Sequence, residues 1–324
     1  MTPSPTAATP LEVLLEPDAL RDALAHDATE GLGSRPYTLP PKYFYDERGS
    51  ALFEDITRLP EYYPTRAERN LLVEHAAAVV ATSQADVLLE LGSGSSEKTS
   101  LLLDAFGDGL RAYVPVDVSP TALQGAVDEL AVERPGLSVL GVVADFERHL
   151  PDLPRPGRRL VAFLGGTIGN LDRAQRAGFL ATLQASLAPG ETVLLGVDLV
   201  KDPERLVAAY DDAAGVTAEF NLNVLRVLAR ELDADLDPAD FEHVALWDPD
   251  DERIEMRLRA RRSLTGRLAA LGLEVELEEG EEIRTEISSK FRREGIEAEL
   301  TAQGLDPAGW WTDGDYALVL AVRQ

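Results

Sequence analysis

Residues 88–99 read LLELGSGSSEKT, an apolar strand ending in an acid, then a glycine–serine–glycine turn and the polar start of a helix. Glycine at positions 92 and 94 lets the backbone turn sharply and approach a ligand that a side chain would block. A following helix, capped by Ser95 or Ser96 in this reading, points free amide groups at that ligand. The next apolar segment ends YVPVDVS, which places Asp117 twenty-five residues beyond Gly92. A carboxylate there can accept hydrogen bonds from both hydroxyls of a ribose. The third segment ends VVADFE, where Asp145 can accept from an adenine amino group while Phe146 flanks the ring. The fourth, FLGGTIGNL, carries Gly165, Gly166 and Gly169, which reduce bulk at a sheet's carboxyl edge, and Asn170, which offers both a donor and an acceptor.

These residues describe a nucleotide-type cofactor, and the spacing narrows which one. A dinucleotide site has a third glycine in G-x-G-x-x-G, and here that position is Glu97. Glu90 directly before the loop gives E-x-G-x-G, the usual pattern of S-adenosylmethionine (SAM) methyltransferases. The Asp–aromatic pair at 145–146 also favours SAM over a nicotinamide dinucleotide. No Gly-Lys-Ser/Thr phosphate loop follows Gly94, which argues against an NTPase. DADLD at 233–237 has carboxylates at positions 1, 3 and 5 of a calcium loop, but Pro238 and Val244 replace the required glycine and glutamate, so no metal site is expected. The histidines, His26, His75, His149 and His243, fall in no acid–base constellation.

The elements that must position these residues form a simple rhythm. From 86 to 200, the segments ADVLLEL, RAYVPVDV, SVLGVVADF, RLVAFLGGTIGN and ETVLLGVDLV alternate with helical stretches. Continuous apolar runs between helices predict a mostly parallel sheet covered on both faces, an α/β Rossmann-like architecture. The rhythm changes after Lys201: 202–232 reads as helical, and FEHVALWD, ERIEMRLRA and LEVELEEGEEIRTEI suggest an antiparallel meander. A helix near 289–303 and a strand pair in WWTDGDYALVLAVR close the chain. The expected division is a disordered terminus at 1–13, a smaller α+β substrate-binding domain from 14–66 completed by an insertion at 201–290, and a methyltransferase-type domain from 67–200 completed by 291–324.

Composition limits the remaining choices. The chain has 324 residues, 45% of them hydrophobic, with 57 acidic against 31 basic residues and a net charge of −26. Binding to nucleic acid needs clustered Lys and Arg, so that role is not expected. No stretch is long enough to span a membrane. With no cysteine, disulfides, thiolate metal sites and cysteine nucleophiles are excluded. The start, MTPSPTAATP, lacks the pattern of a secretion signal, and a cytoplasmic monomer acting on a small molecule is the expectation.

The segments PKYFYDERGSALFEDITRLPEYYPTRAE, LLELGSGSSEKT, FLGGTIGNL, LGVDLVKD, AAYDDAAGVTAEFNLNVL and EEIRTEISSKF give the chain a close resemblance to the histidine-specific Nα-methyltransferases of ergothioneine biosynthesis, over about residues 36–324. The aromatic N-terminal segment and TEISSKF are far more specific to that family than the glycine loop. The resemblance implies SAM-dependent trimethylation of the α-amine of L-histidine to hercynine. It places Tyr62, Gly92, Lys98, Asp117, Asp145 and Phe146 at the cofactor. It also places Tyr45, Phe53, Gly165, Asn170, Tyr210, Met256, Glu286 and Ser288 around the amino acid. In it, Asn170 and Tyr210 clamp the α-amino and carboxylate groups and carry the catalytic role, while Glu286 and Ser288 bind the imidazole edge. The alternatives are methylation of another amino acid such as tryptophan, a noncatalytic SAM-binding protein and, more distantly, a nicotinamide oxidoreductase.

The residues alone support these roles unevenly. Reading an imidazole takes a carboxylate and a second polar partner at fixed spacing, and residues two apart on an extended chain share a face. By pattern alone, however, Glu286 reads as a surface charge in EEGEEIRTE, Ser288 as a helix cap, and Tyr210 and Met256 as core. Transfer to an amine needs a free lone pair. Proximity and orientation can supply much of the acceleration, with water or a nearby carboxylate taking the proton, and Gly165 and Gly166 leave room for successive methyl groups.

Overall fold

A nine-stranded sheet carries the cofactor half of the molecule. The computed structural model describes residues 11–16, 18–94 and 98–324. Ser95, Ser96 and Glu97, on which the expected helix cap and the missing third glycine rest, lie outside the described residues, as do residues 1–10. The large sheet runs in the order Glu12–Val13, Val142–Val143, Ala112–Asp117, Val87–Leu91, Arg159–Phe163, Thr192–Asp198, Tyr316–Arg323, Leu305–Thr312. Pairing is parallel through Thr192–Asp198 and antiparallel for the last two strands. Val87–Leu91, Arg159–Phe163 and Thr192–Asp198 are buried along their whole lengths, which is why they read as uninterrupted apolar runs. Their carboxyl ends place the glycine turn, Asp117, Gly165 and Asp198 along one edge, the usual ligand edge of an open α/β sheet.

Two details depart from expectation. Leu11 to Val13, assigned above to a disordered terminus, are ordered, and Glu12–Val13 forms the parallel edge strand beside Val142–Val143. The segment SVLGVVADF is two short strands, Ser138–Val139 and Val142–Val143, interrupted at Leu140–Gly141. A side chain at Gly141 would run into Leu11 at 2.6 Å, so its absence admits the N-terminal segment.

The second sheet has the order Tyr37–Thr38, Glu282–Ser289, Arg253–Ala260, Phe241–Asp248. Its inner face carries Ile254, Met256, Leu258 and Ala260, all buried. Helix Val216–Leu232 covers it with Phe220, Val224, Leu225 and Leu228. The expected helical stretch at 202–232 is broken at Asp211–Gly215, where Asp212 accepts from the Val216 and Thr217 amides and starts the second helix. One apolar cluster runs from Leu88 and Leu160 of the large sheet through Leu206 and Phe220 to Met256 and Leu258 of the small one. Among the described residues, no helix is long and apolar enough to cross a membrane.

Candidate active site

At the large sheet's edge, Gly92 and Gly94 hold φ values of +66° and +48°, and a Cβ at either would meet nothing within 4 Å among the described residues. The turn is therefore both left-handed and open toward the edge, as a cradle for a ligand requires. The Gly94 amide donates to Asp117 Oδ2 at 3.1 Å, and the Ser119 amide donates to Oδ1 at 2.9 Å. Asp117 is thus oriented by backbone while each oxygen keeps acceptor capacity for a ribose. Asp145 caps the short helix Phe146–His149 by accepting from the Glu147 amide. Phe146 is half-buried and packs edge-on against Phe163, with ring centroids 5.1 Å apart. Glu90 is buried beneath the turn, where Thr99 and Tyr113 each donate to it at 2.6 Å; burial pushes its carboxyl up to about 7 against those bonds.

Glu68 joins this cradle to the fourth strand, and nothing in its sequence context marked it. Its side chain is fully buried. It accepts from the Gly165 amide at 2.7 Å and Tyr316 Oη at 2.9 Å, and it pairs with the Lys98 ammonium. Gly165 and Gly166 sit at φ +78° and +72°, turning the chain into the short 3-10 helix Thr167–Asn170. Gly169 lies so close to the second sheet that a Cβ would approach the Ser289 carbonyl to 2.9 Å and Ser288 Oγ to 3.6 Å. That contact rests the turn bearing Asn170 on the strand bearing Ser288. Among the described residues nothing hydrogen-bonds the Asn170 amide, which is half-buried.

Aromatic rings form the opposite wall. Tyr45, Phe53, Tyr62 and Tyr210 stand in a chain of edge-on contacts, with centroids 5.5, 6.1 and 6.3 Å apart, backed by Phe220. Tyr62, expected at the cofactor, stands between Phe53 and Tyr210 in this wall. Tyr45 is exposed at the mouth of this wall, whereas burial raises the hydroxyl pKa of Tyr62 and Tyr210, so both remain neutral donors at physiological pH.

Glu286 reaches the site through an irregularity in its strand. Pairing with Arg253–Ala260 runs Ile283 to Leu258 and Arg284 to Arg257, then jumps to Glu286 opposite Met256 and Ser288 opposite Ile254. Thr285 is the extra residue, a β-bulge. Partners directly opposite share a face, so the jump moves even-numbered residues from the solvent face of Glu282 and Arg284 to the inner face of Met256 and Ile254. A regular strand would have left Glu286 outside. Glu286 now faces Tyr45, Tyr62, Tyr210 and Lys290, and among the described residues no donor reaches its carboxylate. Burial pushes it up to about 7, with Lys290 pulling the other way. Met256 itself is fully packed in the core.

Behind this group lies a buried ionic cluster. Tyr210 Oη and Ser288 Oγ are 2.8 Å apart, and Lys290 donates to them at 3.0 and 2.8 Å. Lys290 spends its third donor on Asp198 at 2.9 Å; Asp198 also accepts from Tyr63 and pairs with Lys201. Burial opposes the charge on Lys290, but Asp198 and Tyr210 more than offset it, and the ammonium stays above its ordinary range. The two hydroxyls hold two protons, one used between them, so one O–H remains for a ligand. Lys290 and Asp198 lie within segments that marked the family resemblance, yet their roles depend on a contact between the two sheets that no local pattern shows.

A parallel sheet with a glycine turn and acid-ended strands at its carboxyl edge, joined to a pocket holding one unpaired carboxylate and an aromatic wall, defines a SAM-dependent small-molecule methyltransferase. Residues 24–323 match the family described as histidine-specific methyltransferase, SAM-dependent, and the chain belongs to that family. It is 55% identical to the histidine N-alpha-methyltransferase of Mycolicibacterium smegmatis over 95% of this chain and 98% of that protein. Its identity to the histidine N-alpha-methyltransferase of Mycobacterium tuberculosis is 52%, over 94% of this chain and 97% of the relative. Ergothioneine biosynthesis protein 1 of Neurospora crassa is 30% identical over 89% of this chain, which spans 33% of that longer protein.

Proposed function

We propose that the protein transfers methyl groups from SAM to the α-amine of L-histidine until the trimethylated betaine, hercynine, is formed. The observation that carries the reading is Glu286, a half-buried carboxylate that no donor among the described residues reaches, beside a hydroxyl pair that presents one. A neutral imidazole offers the complementary set, one N–H and one bare ring nitrogen. An indole or phenyl ring lacks the second nitrogen and would leave the hydroxyl donor unanswered, which buried sites penalise strongly.

The cofactor supplies a methyl group on a positively charged sulfur. The open, left-handed turn at Gly92 and Gly94 fits its close approach; Asp117 would hold the ribose, Asp145 and Phe146 the adenine, and Lys98 the amino-acid end. On the acceptor side, Asn170 and Tyr210 orient the α-amine and carboxylate. Gly165 and Gly166 leave space for the growing ammonium, and Tyr45, Phe53 and Tyr62 close the pocket. The amine proton passes to water or a nearby carboxylate. Residues 14–66 with 201–290 form the acceptor half and 67–200 with 291–324 the cofactor half of a cytoplasmic monomer, without nucleic-acid or membrane partners.

Glu286→Ala is expected to lower kcat/KM for histidine by about 100-fold, the scale of losing a buried hydrogen-bonding partner for a substrate N–H. Binding of S-adenosylhomocysteine to the same variant is expected to stay unchanged. Unaltered histidine kinetics would remove the imidazole assignment.

A further inference from the structure

The bulge at Thr285 is held by a hydrogen-bonded chain that reaches the pocket only through the backbone carbonyls of Met256 and Tyr210. Thr285 is fully buried, and its Oγ1 lies 2.6 Å from Asn221 Oδ1 and 3.1 Å from the Met256 carbonyl. Asn221, on helix Val216–Leu232, is also fully buried. Its Nδ2 lies 3.1 Å from the Arg257 carbonyl and 2.8 Å from His243 Nδ1. Met256 and Arg257 are the two residues between which the register jumps. Asn221 therefore grips both sides of the irregularity, the extra residue on one strand and the carbonyl beside the gap on the other. His243 extends the chain, its Nε2 lying 2.8 Å from the Tyr210 carbonyl. With the Asn221 amide donating to Nδ1, Nε2 carries the proton and the ring is neutral, in keeping with burial lowering its pKa.

A bulge costs a ladder pair and persists only where its surroundings hold it. If Thr285 slipped back into regular pairing, every residue beyond it would change face. Glu286 and Ser288 would turn outward, toward the Arg253, Arg257 and Glu255 ladder. We propose that Thr285 and Asn221 are positioning residues that fix this bulge, and that through it and His243 they set the acceptor specificity by aiming Glu286, Ser288 and Tyr210 at one point. The inference rests on the histidine reading above, since it concerns how the imidazole-binding group is aimed.

Thr285→Val keeps the branched shape and removes the hydroxyl, whereas Thr285→Ser keeps the hydroxyl. The valine variant is expected to raise the KM for histidine roughly 10–100-fold, as misplacement on the ångström scale does, with kcat at saturation within about threefold. The serine variant is expected within about threefold of the parent, and S-adenosylhomocysteine affinity within about twofold in both. In a Glu286→Ala background, Thr285→Val is expected to add a clearly smaller penalty than in the parent, because one of the groups it aims is already gone. Asn221→Leu provides a second route to the same coupling measurement. An unchanged KM in Thr285→Val, or an undiminished penalty in the Glu286→Ala background, would overturn the proposal. A parent enzyme that binds cofactor yet never methylates histidine would overturn the functional reading itself, a result separable from either.

Discussion

An acid with no hydrogen-bond donor among the described residues is costly to take out of water even in part, and Glu286 carries that cost for its function. Its carboxyl is raised to about 7 from an ordinary value near 4.5. A raised folded-state pKa means the native protein holds the proton more tightly than the unfolded chain. The associated stability is complete below about pH 4.5 and is lost as pH rises through about 7. Glu286→Gln is therefore expected to be more stable than the parent at pH 8, by on the order of 1 kcal/mol or a Tm rise of about 3 °C, and indistinguishable at pH 4. Thermal melts at the two pH values check this. A variant that gains stability while losing histidine turnover fits a group retained for binding. At this scale the sequence was legible where chemistry is local: the E-x-G-x-G turn, Asp117 and Asp145 sit on their strand ends because each follows its own apolar run. Lys290 and Glu68 were not, because a buried charge is explained only by partners such as Asp198 and Lys98, which the fold brings from other elements.

At the level of elements, the two halves of the pocket depend on close backbone approach. The turn Thr167–Asn170 leaves the large sheet and rests on the strand Glu282–Ser289, and Gly169 is the point of contact. Gly169→Ala would drive a methyl group to 2.9 Å from the Ser289 carbonyl, closer than real contacts allow. The turn must lift, carrying Asn170 away from the strand that bears Ser288. The expected result is a fall of about 100-fold in kcat/KM for histidine, as misplacement of a positioning group causes, with S-adenosylhomocysteine binding retained. Parallel calorimetric and kinetic titrations check both halves of that statement. The alternation in EEIRTEISS shows correctly that Glu286 and Ser288 share a face. Which face they share is decided by Asn221, sixty-four positions from Thr285, and no reading of the strand alone could supply it. The interrupted strand at Ser138–Val143 has the same origin, a contact with Leu11 from the far end of the chain.

Across the whole molecule, the apolar cluster shared by both sheets makes the acceptor half a continuation of the cofactor half. Leu206, Phe220 and Met256 pack in the same cluster as Leu88 and Leu160. Thermal unfolding followed by circular dichroism in the far and near ultraviolet is therefore expected to show one coincident transition. S-adenosylhomocysteine at about 100 times its dissociation constant is expected to move that transition as a unit, by about 2.7 kcal/mol. Separate transitions would mean that the second sheet folds independently. The alternating pattern of fully apolar and half-polar strands foretold the two main sheets, but not that Leu273–Leu277 leaves the expected meander to pair with Leu264–Leu268 as a separate two-stranded sheet, nor the extent to which one core serves both main sheets. The central claim, that this molecule selects histidine and methylates its α-nitrogen, is tested most directly by one competition. The protein is incubated with methyl-labelled SAM and an equimolar mixture of the common amino acids, and the labelled products are identified by mass spectrometry. Label on the α-nitrogen of histidine alone, progressing to three methyl groups, is the expected result; label on tryptophan or another amino acid in preference to histidine, or on none, would contradict it.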